Sequence, residues 1–124
     1  MAAPPHCSNP RRGSCGCLPR YDGDPVFCRL LSGGEDKGFT DVVLEGQAEI
    51  RSNYVRNTAI VVTDLIDDKG AGVRITDFAP RFQIYGRTFR PPQIIRIIEP
   101  IGGMPRVTIR FRTTHRYGEP VASR

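Results

Sequence analysis

Tryptophan is absent from the 124 residues, histidine and methionine occur twice each, and only two of the 18 basic side chains are lysine. No apolar run approaches the roughly 18 residues of a membrane-spanning helix. The amino end, MAAPPHCSNPRR, has no apolar core between its charges, so it does not read as a secretory signal, and a cytoplasmic location is expected. The two histidines, His6 and His115, stand near no Ser/Asp or Cys arrangement that would make a nucleophile–base pair. Gly33-Gly34 and Gly102-Gly103 lack the following Lys-Ser/Thr of a phosphate-cradling loop. The four cysteines, Cys7, Cys15, Cys17 and Cys28, lie in the first quarter of the chain, and Cys15-Gly16-Cys17 is a CxC pair, not CxxC. With His6 they allow a zinc site to be drawn, but the spacing matches none of the common structural zinc patterns. Reduced thiols, no metal and no cofactor are therefore expected. At 39% hydrophobic residues the chain is too apolar for a disordered tail, and its length predicts one small domain.

The net charge of +5 is unevenly spread. Residues 40–80 hold four Lys/Arg against seven Asp/Glu, whereas residues 81–124 hold nine against two. Arginine suits phosphate, but also carboxylates and protein interfaces. Nucleic acid is disfavoured because aromatic rings are not interleaved with the arginines as stacking platforms.

The first 23 residues read as loop or irregular, punctuated by Pro4, Pro5, Pro10, Gly13, Gly16, Pro19 and Gly23, with 1–16 as an irregular segment ahead of the domain. Asp24-Pro25 followed by Val26–Leu31, with Gly33-Gly34 beyond, predicts one short helix near the amino end, capped by Asp24. From Asp41 to Arg51 apolar Val42, Leu44, Ala48 and Ile50 alternate with polar residues, predicting one half-buried strand with a bulge at Gly46. Residues 59–66 and 73–78, joined by Asp67-Asp68-Lys69-Gly70, predict a β-hairpin. Residues 81–92 read as a connection. Residues 94–99 and 107–112 predict a second hairpin through Pro100-Ile101-Gly102-Gly103. In it, Arg106, Arg110 and Arg112 share one face, and Arg96 interrupts the partner strand. The fold class is all-β and antiparallel. The arginine face is either a solvated sheet face or, together with Arg96, a docking surface for an acidic partner. No pair of carboxylates is singled out as an acid and base, so no catalytic residue is assigned.

Three stretches carry a family resemblance. Cys17-Leu18-Pro19-Arg20-Tyr21-Asp22-Gly23-Asp24-Pro25-Val26-Phe27 resembles the CLPRFD loop near the amino end of bacterial glycoside hydrolase family 15 proteins, the glucoamylase-like and trehalase-like enzymes. Tyr54, Arg56-Asn57-Thr58 and Val73–Pro80 resemble the same domain's Y…NT…V.ITDF.P pattern, and Arg90–Arg96 with Tyr117-Gly118 its next hairpin. The resemblance spans residues 17–118, leaving 119–124 as a tail. It implies an N-terminal antiparallel β-sandwich that packs against an (α/α)6 barrel holding both catalytic carboxylates. No segment here matches that barrel. The chain is then expected to be non-catalytic alone and to touch carbohydrate only indirectly. Where the family has a strand pair before its CLPR loop, this chain has HCSNPRRGSCG, and it ends where the family sandwich continues. An incomplete half-sandwich is therefore expected, covered by the barrel or by self-association through open sheet edges. In the CLPRYDGDP loop, Arg20, Tyr21, Asp22 and Asp24 either help shape the sugar cleft or serve the loop's own structure. The alternative to an enzyme accessory domain is a free-standing basic β-module binding an anionic partner such as nucleic acid.

Overall fold

The structure, a computed structural model, describes residues 12, 13, 15–17, 24–28, 37–115, 119 and 120, with side chains for 24–27 and 37–114. Thirteen strands occur among them: β1 (Arg12–Gly13), β2 (Cys15–Cys17), β3 (Pro25–Cys28), β4 (Phe39–Leu44), β5 (Gln47–Tyr54), β6 (Val61–Asp67), β7 (Gly72–Phe78), β8 (Phe82–Ile84), β9 (Arg87–Phe89), β10 (Ile95–Ile101), β11 (Val107–Arg112), β12 (Thr114–His115) and β13 (Glu119–Pro120). Every pairing whose register is defined is antiparallel, so the all-β class holds. No helix among the described residues is long and apolar enough to cross a membrane. The chain forms two compact units, residues 1–43 with 108–124, and residues 44–107.

In the first unit β4 lies between β1 and β11. Phe27, Phe39 and Val42 are buried, and the Phe27 and Phe111 rings meet edge to face at 5.6 Å. Residues 25–28, expected to begin a helix, instead form β3 and pair with β2 within the segment expected to be irregular. Val26 and Phe27 favour extended backbone, and Pro25 at the strand's first position has no donor to lose. Residues 29–31 of the expected helix lie outside the described residues. The second expected hairpin also does not form: β11 pairs with β4, and β10 with β7.

The second unit is built on a sheet ordered β10-β7-β6-β5. The expected β6–β7 hairpin is present. Its turn is held by Asp67, whose Oδ1 accepts the amides of Lys69 at 2.9 Å and Ala71 at 2.8 Å. Period-two alternation puts Thr63, Leu65, Val73 and Ile75 on one face of the sheet, and all four are buried. The Thr63 hydroxyl is satisfied by that of Ser52 on the next strand, 3.0 Å away. Residues 41–51 are not one strand: Glu45-Gly46 make a turn, and the bulge falls at Ala48, the extra residue of β5 opposite β6. Residues 81–92, expected as a connection, contain the two-stranded hairpin β8–β9.

The opposite face of this sheet carries a cross-strand row of alternating charge. Glu99 stands opposite Arg74, Arg74 opposite Asp64, and Asp64 opposite Arg51. Arg74 donates to Asp64 through Nε and Nη2, both at 2.8 Å, and Arg51 donates to Glu49 at 2.6 and 3.0 Å. The hydrogen bonds from Arg74 hold the Asp64 carboxyl below the ordinary aspartate range, and those from Arg51 do the same for Glu49. A depressed folded-state pKa contributes stability that is present above the unfolded value, about 4, and is lost as pH falls through the folded value. Arg74→Gln is therefore expected to be less stable than the parent at pH 7, with the gap closing in denaturation curves taken below about pH 4. A gap that stays constant down to pH 2 contradicts the ion pair as its source.

Candidate functional site

The β5–β6 connection is a compact loop. The Val55 amide donates to the Ile60 carbonyl at 2.9 Å, and the Thr58 amide to the Val55 carbonyl at 3.0 Å. The Thr58 hydroxyl also donates to the Val55 carbonyl, at 2.8 Å, and accepts the Ile60 amide at 3.2 Å. Asn57 sits at φ 59°, a left-handed conformation that asparagine tolerates better than most side chains. The Arg56-Asn57-Thr58 triplet is thus explained locally: asparagine makes the turn and threonine ties it.

This loop forms one wall of a pocket of about 870 Å³ in the second unit. Phe78-Ala79-Pro80 and Arg81-Phe82, where the chain leaves β7, form another wall, and Arg90-Pro91 a third. Pro80 and Pro91 cannot donate to a strand, so they end the pairing and leave these walls free of a neighbour. Residues from two of the stretches that carry the resemblance, Asn57-Thr58 with Phe78–Pro80 and Arg90-Pro91, therefore converge on one place. Arg81 and Arg90 line it beside apolar residues, and among the described residues no Asp, Glu, His or Cys does. Such a lining can hold an anionic or aromatic group.

Hairpin β8–β9 extends from this wall. Phe82 lies opposite Phe89 with their rings stacked 5.6 Å apart, and Ile84 lies opposite Arg87 on the same side. The two-residue turn is Tyr85-Gly86, with φ of 50° and 70°. This is the doubly left-handed turn that matches strand twist, and it normally takes Asn-Gly. Tyr85 is 98% exposed.

Of the residues singled out from the sequence, Arg20, Tyr21 and Asp22 lie outside the described residues, and Asp24 is exposed just before β3. In the second unit Arg96 makes a bidentate pair with Asp77 at 2.7 and 2.8 Å, and Arg106 stands 3.5 Å from Glu45. In the first unit Arg110 makes a bidentate pair with buried Asp41 at 2.9 and 2.6 Å and lies 5.5 Å from the Phe39 ring centre. Arg112 is exposed two residues further along the same strand. Arg96, Arg106 and Arg110 are thus engaged by the chain's own carboxylates. By contrast, Arg56, Arg81, Arg87 and Arg90 make no ion pair with any described residue, and reading the sequence passed over them as a group. A signal was present for three of them, because residues 78–95 contain Arg81, Arg87 and Arg90 and no Asp or Glu. Among the described residues, no three His, Cys, Asp or Glu side chains gather closely enough to hold a metal ion.

No protein-family model and no solved structure matches the chain. It is similar to a trehalase from Thermoplasma volcanium, 28% identical over 111 residues. The match takes in 84% of this chain but only 16% of that protein, so the chain spans about one sixth of the trehalase it resembles.

Proposed function

We propose that the chain is a non-catalytic accessory domain, or a piece of one, of a trehalase-like glycoside hydrolase. In this reading it is the N-terminal β-sandwich of a family 15 enzyme, packed against a catalytic barrel that this chain does not contain. The observation that carries the reading is the trehalase similarity, which runs through most of this chain yet through so little of that enzyme. The pocket agrees with it in being lined by residues of the stretches that carry the resemblance. Nucleic acid is a poorer fit, since two of the three arginines proposed to meet it, Arg106 and Arg110, already stand beside carboxylates.

The test is a chimera in which this chain replaces the matching segment of the Thermoplasma volcanium trehalase. The chimera is expected to release glucose from trehalose, whereas the chain alone releases none. Glucose release by the purified chain alone, or a folded chimera without activity, overturns the reading.

A further inference from the structure

We propose that hairpin β8–β9 and the pocket at its base form the surface by which the chain docks onto the remainder of a trehalase-like enzyme, with Tyr85 as the anchor and an acidic, apolar patch on that remainder as the occupant. The inference rests on the accessory-domain reading and adds to it which residues make the joint.

Tyr85 is the first ground. An aromatic residue at φ 50° adopts a conformation that is unfavourable for most L-residues, and asparagine or glycine would relieve it. No contact with the described residues offsets this cost, because the side chain is 98% exposed. A strained, solvent-facing tyrosine at a loop tip does nothing for the chain's own stability, and tyrosine is among the residues that dominate binding energy at interfaces.

The hairpin face behind it is the second ground. Phe82, Ile84 and Phe89 lie on one side and are 44–45% exposed, so three large apolar side chains flank the tip instead of the polar residues expected of a free hairpin. Charge supplies the occupant's character. Arg81 and Arg90 line the adjoining pocket, Arg87 stands on the hairpin and Arg56 on the neighbouring loop, and none of them pairs with a carboxylate of the described residues. Like charges facing one another across an interface are costly, so a second copy of this chain is a poor occupant and a patch carrying Asp or Glu is a good one. The match leaves about five sixths of the trehalase outside it, which is the length of chain from which such a patch would come.

The test uses Tyr85→Asn and, separately, Arg90→Glu, each in the isolated chain and in the trehalase chimera. Isolated, Tyr85→Asn is expected to unfold a few degrees above the parent, because left-handed strain is removed. In the chimera the same change is expected to do the opposite, splitting one cooperative unfolding transition into two, with Arg90→Glu acting likewise. A purely structural tyrosine cannot give that reversal of sign. An active chimera that unfolds identically with and without Tyr85→Asn and Arg90→Glu overturns the docking surface while leaving the accessory-domain reading intact. An inactive chimera overturns both. A dimer of the isolated chain that sediments as a monomer once Tyr85 is replaced overturns the occupant.

Discussion

Gly72→Ala is expected to be among the most damaging single substitutions in the second unit, costing about 3 kcal/mol or more. Gly72, the first residue of β7, pairs with Ile66 on one side and with Ile101 on the other, at the end of the three-strand array β10-β7-β6. A Cβ there would stand 2.3 Å from the Leu65 carbonyl oxygen and 3.2 Å from the Ile66 Cα. Both are backbone atoms, so no side chain can rotate away, and relief comes only by separating β6 from β7. Leu65 and Val73, both buried, sit at that point of the sheet, so separation also opens the core. Gly70→Ala provides the control. Gly70 has φ 83°, yet an added Cβ would meet nothing within 4 Å. Its cost is the conformational strain alone, about 1–2 kcal/mol. Urea unfolding of the two variants is expected to rank Gly72→Ala well below Gly70→Ala. The reverse order means that β6 and β7 do not approach as closely as described.

Arg110→Ala is expected to cost the first unit about 2–4 kcal/mol, for a reason unrelated to packing volume. Asp41 is only 4% exposed and takes two charge-assisted hydrogen bonds from Arg110, 69 residues away. Removing the guanidinium strips both bonds from a buried carboxylate and also loses the cation lying over Phe39. Arg110→Lys keeps the charge but cannot make the planar two-pronged contact, and it is expected to fall between the parent and Arg110→Ala. In an Asp41→Asn background, where the acceptor is no longer charged, Arg110→Ala is expected to cost much less. A double-mutant cycle by chemical denaturation measures the difference. Additive effects would mean that the pair contributes nothing as a pair. The same geometry bears on the idea that Arg110 reaches out to a nucleic acid, since its Nε and Nη2 donors are committed to Asp41.

Local chemistry made the β6–β7 hairpin readable, because alternation on both sides of Asp67–Gly70 and the turn-forming Asp67 all point to the same element. The failures have equally local causes. Glu45-Gly46 joins β4 to β5 with an even number of residues, so the apolar parity of Val42 and Leu44 runs on through the turn and imitates a single strand. The β8–β9 hairpin escaped because its turn is Tyr-Gly in place of Asn-Gly and because every position in its strands is exposed, leaving no apolar-in, polar-out rhythm. The supposed pairing of residues 94–99 with 107–112 followed nearness in sequence, whereas β11 takes its partner from β4, a choice set by contacts such as Arg110 to Asp41 that no short window contains. Among the site residues, the arginines of the second expected hairpin drew attention by their spacing; Arg96 and Arg110 hold carboxylates bidentately, whereas Arg112 is exposed. The arginines without an ion pair lie on loops and at turn ends, where no periodicity marks them.

The Arg96–Asp77 pair has a consequence for folding errors. Alternation of apolar and polar residues rejects a strand displaced by one position, since every side chain would change face, but it is blind to displacement by two. Strand β10 is exposed to that second mistake, because it returns to β7 only after residues 79–94. Displaced by two in one direction, it would set Ile94 opposite Asp77, and in the other direction Ile98. Either way a carboxylate loses its bidentate partner and gains an isoleucine. The ion pair therefore corrects the slips that hydrophobic patterning cannot see, acting as a second digit in the address at which the edge strand arrives.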